Sequence, residues 1–131
     1  MKRLLIFCQL CCLVLLMSCQ RVKALVNPVT SIEFLENNRF DFGEYDGQDS
    51  VVHYYRYKNV GNVPFVINQI KTQCGCTRYS YSKQPLPPGG VDSIRVALGT
   101  KNLIRGFVIK RVEIYSNCDS VYFVDLQGIL K

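Results

Sequence analysis

Residues 51–59 read VVHYYRYKN, a run of β-branched and aromatic residues in which Val51, His53, Tyr55 and Tyr57 fall on alternate positions. Period two over nine residues describes a strand with one buried face, and no helical spacing fits it. The flanks repeat the pattern. Residues 43–50 (GEYDGQDS) form a turn cluster on one side and Val60-Gly61-Asn62 turns the chain on the other. Shorter strands are expected at residues 31–35 and 39–42, separated by Glu36-Asn37-Asn38. Pro64 opens PFVINQIKT, where Phe65 and Ile67 share a face and Ile70 breaks strict alternation, so a bulge is expected near Asn68-Gln69. Residues 76–81 make a short strand that ends at the Pro85–Gly90 cluster. Residues 91–98 turn Ile94, Val96 and Leu98 inward, and residues 107–115 turn Val108, Val112 and Ile114 inward. A turn at residues 116–120 leads to a last strand over residues 121–130. Seven to eight short strands at this spacing predict an all-β sandwich, with a closed barrel as the alternative. With no Trp, the core is expected to rest on Tyr, Phe, Val and Ile.

The chain of 131 residues has room for one domain with a real core, and its 48% hydrophobic content excludes wholesale disorder. Four of the seven Cys (Cys8, Cys11, Cys12, Cys19) precede residue 20, so they are not a disulfide framework for the strands. Met1-Lys2-Arg3 is a basic start, and Leu4 to Met17 is an apolar run of fourteen residues. A spanning helix needs roughly 20, so the segment reads as a secretory signal.

The strands carry a resemblance. Phe40-x-Phe42-Gly43, Val51-x-His53-x-Tyr55-x-Tyr57-x-Asn59-x-Gly61, Cys74-Gly75-Cys76-Thr77, Pro88-Gly89, Lys110-x-Val112-x-Ile114-x-Ser116-Asn117 and Leu126-x-Gly128 occur in the order found in one bacterial family. That family is marked by the Cys-Gly-Cys-Thr motif and has no established activity. The resemblance covers residues 31–131 and implies an immunoglobulin-like sandwich similar to the major sperm protein and PapD-like domains. It implies no catalytic residue, so function must be argued from sites.

Leu16-Met17-Ser18-Cys19 resembles the lipobox of bacterial lipoproteins. The resemblance implies removal of residues 1–18 and lipid attachment to Cys19. Only a thiol forms the required thioether, and two or more acyl chains hold a protein stably at a bilayer. Residues 19–30 are then the lipidated Cys and a tether, and residues 31–131 the domain. Residue 20 is Gln and not the Asp that retains well-studied lipoproteins in the inner membrane. The expected location is the cell envelope of a Gram-negative bacterium, at the outer membrane facing the periplasm. Loss of Lys2 and Arg3 lowers the net charge of +6 by two, to +4, too weak to suggest a nucleic-acid partner.

Chemistry centres on Cys74, Cys76 and Cys118, the thiols left once Cys19 carries lipid. A structural reading bridges Cys118 to Cys74 or Cys76, or leaves buried thiols. A redox reading makes Cys74–Cys76 a labile dithiol. An i,i+2 bridge is awkward along a strand, where same-face side chains run parallel, although Gly75 relaxes the backbone. Arg78 is the only cation nearby in sequence, and no helix N-terminus or base is in view to lower a thiol pKa. Cys-x-Cys is short for zinc, while two thiolates suit Cu(I), with Cys118 or His53 as a further ligand. The structural reading is preferred, and no cofactor or resident metal is expected. His53, the single His, is read as a hydrogen-bonded imidazole facing inward and not as a base. Tyr79 and Tyr81, beside Arg78 and Lys83, would form an aromatic, basic surface if exposed together, but core and rim packing is the favoured reading for any one Tyr. No nucleophile–base spacing or phosphate loop is present. The preferred function is a lipid-anchored domain that binds an envelope protein by an edge strand or loop, without catalysis. The alternative is a periplasmic thiol–disulfide or copper-handling protein.

Overall fold

A computed structural model describes residues 27–131 apart from Gln48. The signal segment and Cys19 lie outside the described residues. Eight strands follow in order: β1 (Ile32–Phe34), β2 (Arg39–Tyr45), β3 (Ser50–Asn59), β4 (Ile67–Thr72), β5 (Thr77–Ser80), β6 (Val91–Gly99), β7 (Gly106–Ser116) and β8 (Tyr122–Leu130). One sheet has the order β1-β3-β6-β5 and the other β2-β8-β7-β4. The result is an immunoglobulin-like β-sandwich and not a closed barrel.

The alternation in β3 is the reason the sheets face each other. Val51, Tyr55 and Tyr57 are buried, as are Ile94, Val96 and Leu98 opposite them on β6. Val112, Ile114, Val124 and Leu126 line the inner face of the second sheet. Each of these side chains contributes about 1.5–3 kcal/mol by leaving water. Leu98, Leu126 and Leu130 join the expected Tyr, Phe, Val and Ile core.

The end of β2 differs from the sequence reading. Residues 43–45 do not begin a turn: β2 runs on to Tyr45, pairing parallel with β8 across an irregularity between Asp41 and Glu44. Gly43 adopts φ 68° there, and its N–H donates to the Asp41 carboxylate at 2.8 Å. A local bulge thus replaces the expected end of the strand. The other irregularity, between Ile67 and Gln69 on β4, lies where the break in alternation placed it.

The described end of the expected tether is docked. Asn62 receives the Val29 N–H on Oδ1 at 2.7 Å, donates Nδ2 to Asn27 at 2.9 Å, and gives its own N–H to Val29 at 3.0 Å. Gly61 permits this approach, since a Cβ there would overlap the Val29 carbonyl. Asn59 holds the turn from beneath. Fully buried, it donates Nδ2 to the carbonyls of Val63 and Leu86, both at 2.9 Å, and accepts the Gly61 N–H at 2.9 Å.

Candidate functional site

Cys74 and Cys76 are joined as a disulfide with Cα atoms 5.2 Å apart, and Cys118 is unbridged among the described residues. The expected bridge from Cys118 to either of them is therefore corrected. Ile67 of β4 pairs with Ser116 and Thr72 with Val112, so Cys118 and the Cys74–Cys76 turn lie beyond opposite ends of β4. Five strand steps separate those ends by about 17 Å, far beyond disulfide reach. Cys118 instead donates to the Thr30 carbonyl at 3.1 Å, next to the Tyr122 hydroxyl at 3.6 Å.

The i,i+2 bridge forms because residues 73–76 turn and are not extended. The objection that same-face side chains run parallel applies to a strand, and the strand begins only at Thr77. The Thr77 N–H closes the turn on the Cys74 carbonyl at 3.2 Å, and the Gly99 N–H donates to the Cys76 carbonyl at 2.8 Å. Gly75 has neither positive φ nor any atom within 4 Å of a built Cβ, so its expected role in easing the backbone is not needed here. The buried Thr77 hydroxyl lies 3.7 Å from Cys74 Sγ and 4.0 Å from Cys76 Sγ.

Register adds charge to this turn. Thr77 pairs with Leu98, Arg78 with Ala97 and Ser80 with Arg95. Arg78 and Arg95 thus share the outer face of the first sheet. Beyond Gly99, Lys101 joins them around a groove of about 400 Å³ that Ser50, Gly75 and Cys76 also line. No carboxylate is in the lining, and none of the three cations makes an ion pair among the described residues. Nothing in the local sequence marks Arg95 and Lys101 as neighbours of Cys76; only the β5–β6 pairing brings them there.

The structure does not bring His53 or Cys118 to the two sulfurs. His53 stacks on Phe40 with ring centroids 3.9 Å apart and meets Tyr55 edge-on at 4.7 Å. Burial pushes its pKa down, partly offset by Glu36, so it is a neutral packed imidazole. Among the described residues no cluster of three His, Cys, Asp or Glu is close enough to hold a metal ion. Tyr81 packs against the core, with the partly exposed Tyr79 stacked beside it at 6.2 Å.

The outer face of the second sheet carries two further features. Asp125, 5% exposed, accepts Nε and Nη2 of Arg111 at 2.8 and 3.0 Å and Nη2 of Arg39 at 3.4 Å. The Arg111 bonds, aided by Arg39, hold its carboxyl below the usual range against the opposing effect of burial. Further along, β4 pairs with β7 only from Val112 to Ser116. Among the described residues, Gly106 to Arg111 therefore pair with β8 on one side and with no strand on the other. Phe107 is 66% and Ile109 43% exposed on this open half.

No curated protein sequence matches the chain. Among solved structures, a protein of unknown function from Porphyromonas gingivalis W83 superposes with TM-score 0.63 at 15% identity, over 79% of this chain and 47% of that one. The chain thus spans about half the length of that relative. PapD-like domain 7 of human CEP192 gives 0.61 at 12% identity, over 82% of this chain and 93% of that one. The YadV chaperone gives 0.55 at 13% identity, over 78% and 52%. Parts of a Vibrio cholerae protease and of glycoside hydrolases are also similar. At these identities the likenesses show the sandwich alone. The family model described as "Protein of unknown function (DUF1573)" matches residues 32–128, from β1 into β8, and the chain belongs to that family.

Proposed function

We propose that this chain is a protein-interaction domain of the bacterial cell envelope, carried on lipid at Cys19, that receives an extended segment of a partner protein along the open half of β7. The observation that carries the reading is the run Gly106–Arg111, which pairs with β8 on one side and with no described strand on the other, and which carries the exposed Phe107 and Ile109. A strand edge offers unused N–H and C=O groups at alternate residues, and an added strand satisfies them. Arg105 adjoins this run and Lys110 lies within it, so the fitting segment has apolar residues at every second position and carboxylates between or beside them. The similarity to a PapD-like domain and to a chaperone supports a binding role without naming a partner. The lipobox and basic N-terminus support the anchor, and Gln20 supports the outer membrane as its place.

A photo-crosslinking residue at position 109 of the lipidated chain, produced in its own host, tests the edge. A discrete protein adduct is expected at position 109 and not at position 56, on the other sheet. Equal labelling at both positions, or none, overturns the reading. Metabolic labelling with an alkyne fatty acid should mark the wild-type chain and not Cys19→Ser.

A further inference from the structure

We infer that the Cys74–Cys76 disulfide and the cationic groove beside it form a thiol–disulfide exchange centre for thiols that carry carboxylates, an activity separate from strand capture at β7. Three observations converge on it. The disulfide closes a turn of only two residue steps and spans no loop of the fold, so it tethers no distant segments. The constraint a bridge places on the unfolded chain grows with the loop it closes, and here that loop is minimal.

The second observation is the asymmetry of the two sulfurs' surroundings. Cys76 lines the groove and Cys74 does not. The Thr77 hydroxyl is nearer to Cys74 Sγ, at 3.7 Å, than to Cys76 Sγ, at 4.0 Å. Cys76 also packs in part against the core, so a thiolate held in the groove approaches the bridge from its Cys76 side, and the sulfur that leaves has a hydroxyl donor beside it.

The third is charge. Arg78, Arg95 and Lys101 line the groove without a carboxylate among them. Their field concentrates anions and favours the thiolate over the thiol. It also holds a carboxylate on the attacking molecule while discriminating against a cationic one.

The exchange runs in two balanced steps. The thiolate attacks Cys76 Sγ, a new S–S bond forms, and the Cys74–Cys76 bond breaks with its electron pair on Cys74. Cys74 accepts the Thr77 hydrogen bond and then a proton. A second molecule of the thiol, as its thiolate, attacks the first molecule's sulfur in the mixed disulfide and releases Cys76, which is protonated in turn. Two thiols are oxidised to one disulfide, and the protein disulfide is reduced to two thiols. The reverse reaction, with a carboxylate-bearing disulfide, restores the bridge. Thr77 is a positioning residue for the leaving sulfur.

The experiment measures the rate of bridge opening in the full chain with mercaptosuccinate, 2-mercaptoethanol and cysteamine, each rate corrected for its thiolate fraction. Trypsin releases residues 72–78, which contain Cys74 and Cys76 and no other Cys, so alkylation is read on one peptide. Mercaptosuccinate is expected to react about tenfold faster than 2-mercaptoethanol, and cysteamine slower than both. High salt, or the double substitution Arg95→Gln/Lys101→Gln, should collapse the series to within about twofold. Thr77→Val should slow all three thiols alike, with recovery in Thr77→Ser. Rates that are equal for the three thiols in the wild type overturn the groove's role, as does a preference that survives both salt and the double substitution. A bridge that does not open under these thiols overturns the exchange centre, and strand capture at β7 would stand untouched.

Discussion

The hydroxyl of Tyr55 on β3 donates a 2.7 Å hydrogen bond to the main-chain carbonyl of Asp125 on β8, linking the two sheets through the middle of the core. Burial and the nearby Asp125 carboxylate push the Tyr55 phenol far above its ordinary pKa, so it remains a donor throughout the accessible range. Tyr55→Phe keeps the ring and removes the donor, leaving the carbonyl unpaired. A loss of about 1–2 kcal/mol is expected. Urea unfolding checks this through a lower midpoint at an unchanged slope.

Acid should weaken the protein in two stages with different owners. His53 has a folded pKa below 6.5, so its contribution is complete above that value and declines as pH falls toward the folded pKa. Asp125 has a folded pKa below 3.8, so its contribution is complete above that value and is lost as pH falls through the folded pKa. Urea midpoints from about pH 7 to about pH 2 should show both stages. His53→Gln removes the first, and Asp125→Asn flattens the second.

Asn59→Ala should rank among the most damaging polar substitutions. It removes two donors and one acceptor from a fully buried position, leaving the carbonyls of Val63 and Leu86 and the Gly61 N–H without those bonds. The expected cost is about 3 kcal/mol. Thermal unfolding provides the measurement, with a fall in Tm of roughly 10–20 °C.

Glycine substitutions should separate sharply. Gly75→Ala meets nothing within 4 Å and needs no unusual backbone, so it should change stability by less than about 0.5 kcal/mol and leave the bridge intact. Gly61→Ala drives its Cβ into the Val29 carbonyl and should lift Asn27–Ser31 from the turn. Hydrogen exchange at the Asn62 N–H, bonded to Val29, should accelerate in Gly61→Ala and not in Gly75→Ala.

Much of the fold was legible because burial on a strand repeats every second residue. Val51, Tyr55 and Tyr57, or Ile94, Val96 and Leu98, could be assigned to the core from their neighbours alone. The break at Ile70 announced the bulge for the same reason. The continuation of β2 to Tyr45 was not legible. Glu44 and Tyr45 sit among turn-forming residues, and their strand pairing comes from Ile129 and Leu130, far away in the chain.

The candidate site divides along the same line. A disulfide across Cys74-Gly75-Cys76 depends on a local turn and could be entertained from spacing, although a strand reading argued against it. Its exclusion of Cys118 could not be read, because the pairing of β4 with β7 sets those cysteines at opposite ends of the sandwich. The open half of β7 follows from the shortness of β4, a difference between two strands that neither one shows alone. Local residue order is enough for the alternation that puts Tyr55, Tyr57, Ile94 and Leu98 in the core, and it sets two cysteines beside a threonine. Pairing between distant strands leaves half of β7 open and gathers Arg78, Arg95 and Lys101 around the groove beside Cys76. Periodicity acts over a few neighbouring residues, whereas register between β5 and β6 sets Arg78 beside Ala97 and Arg95, and no local pattern encodes that distance.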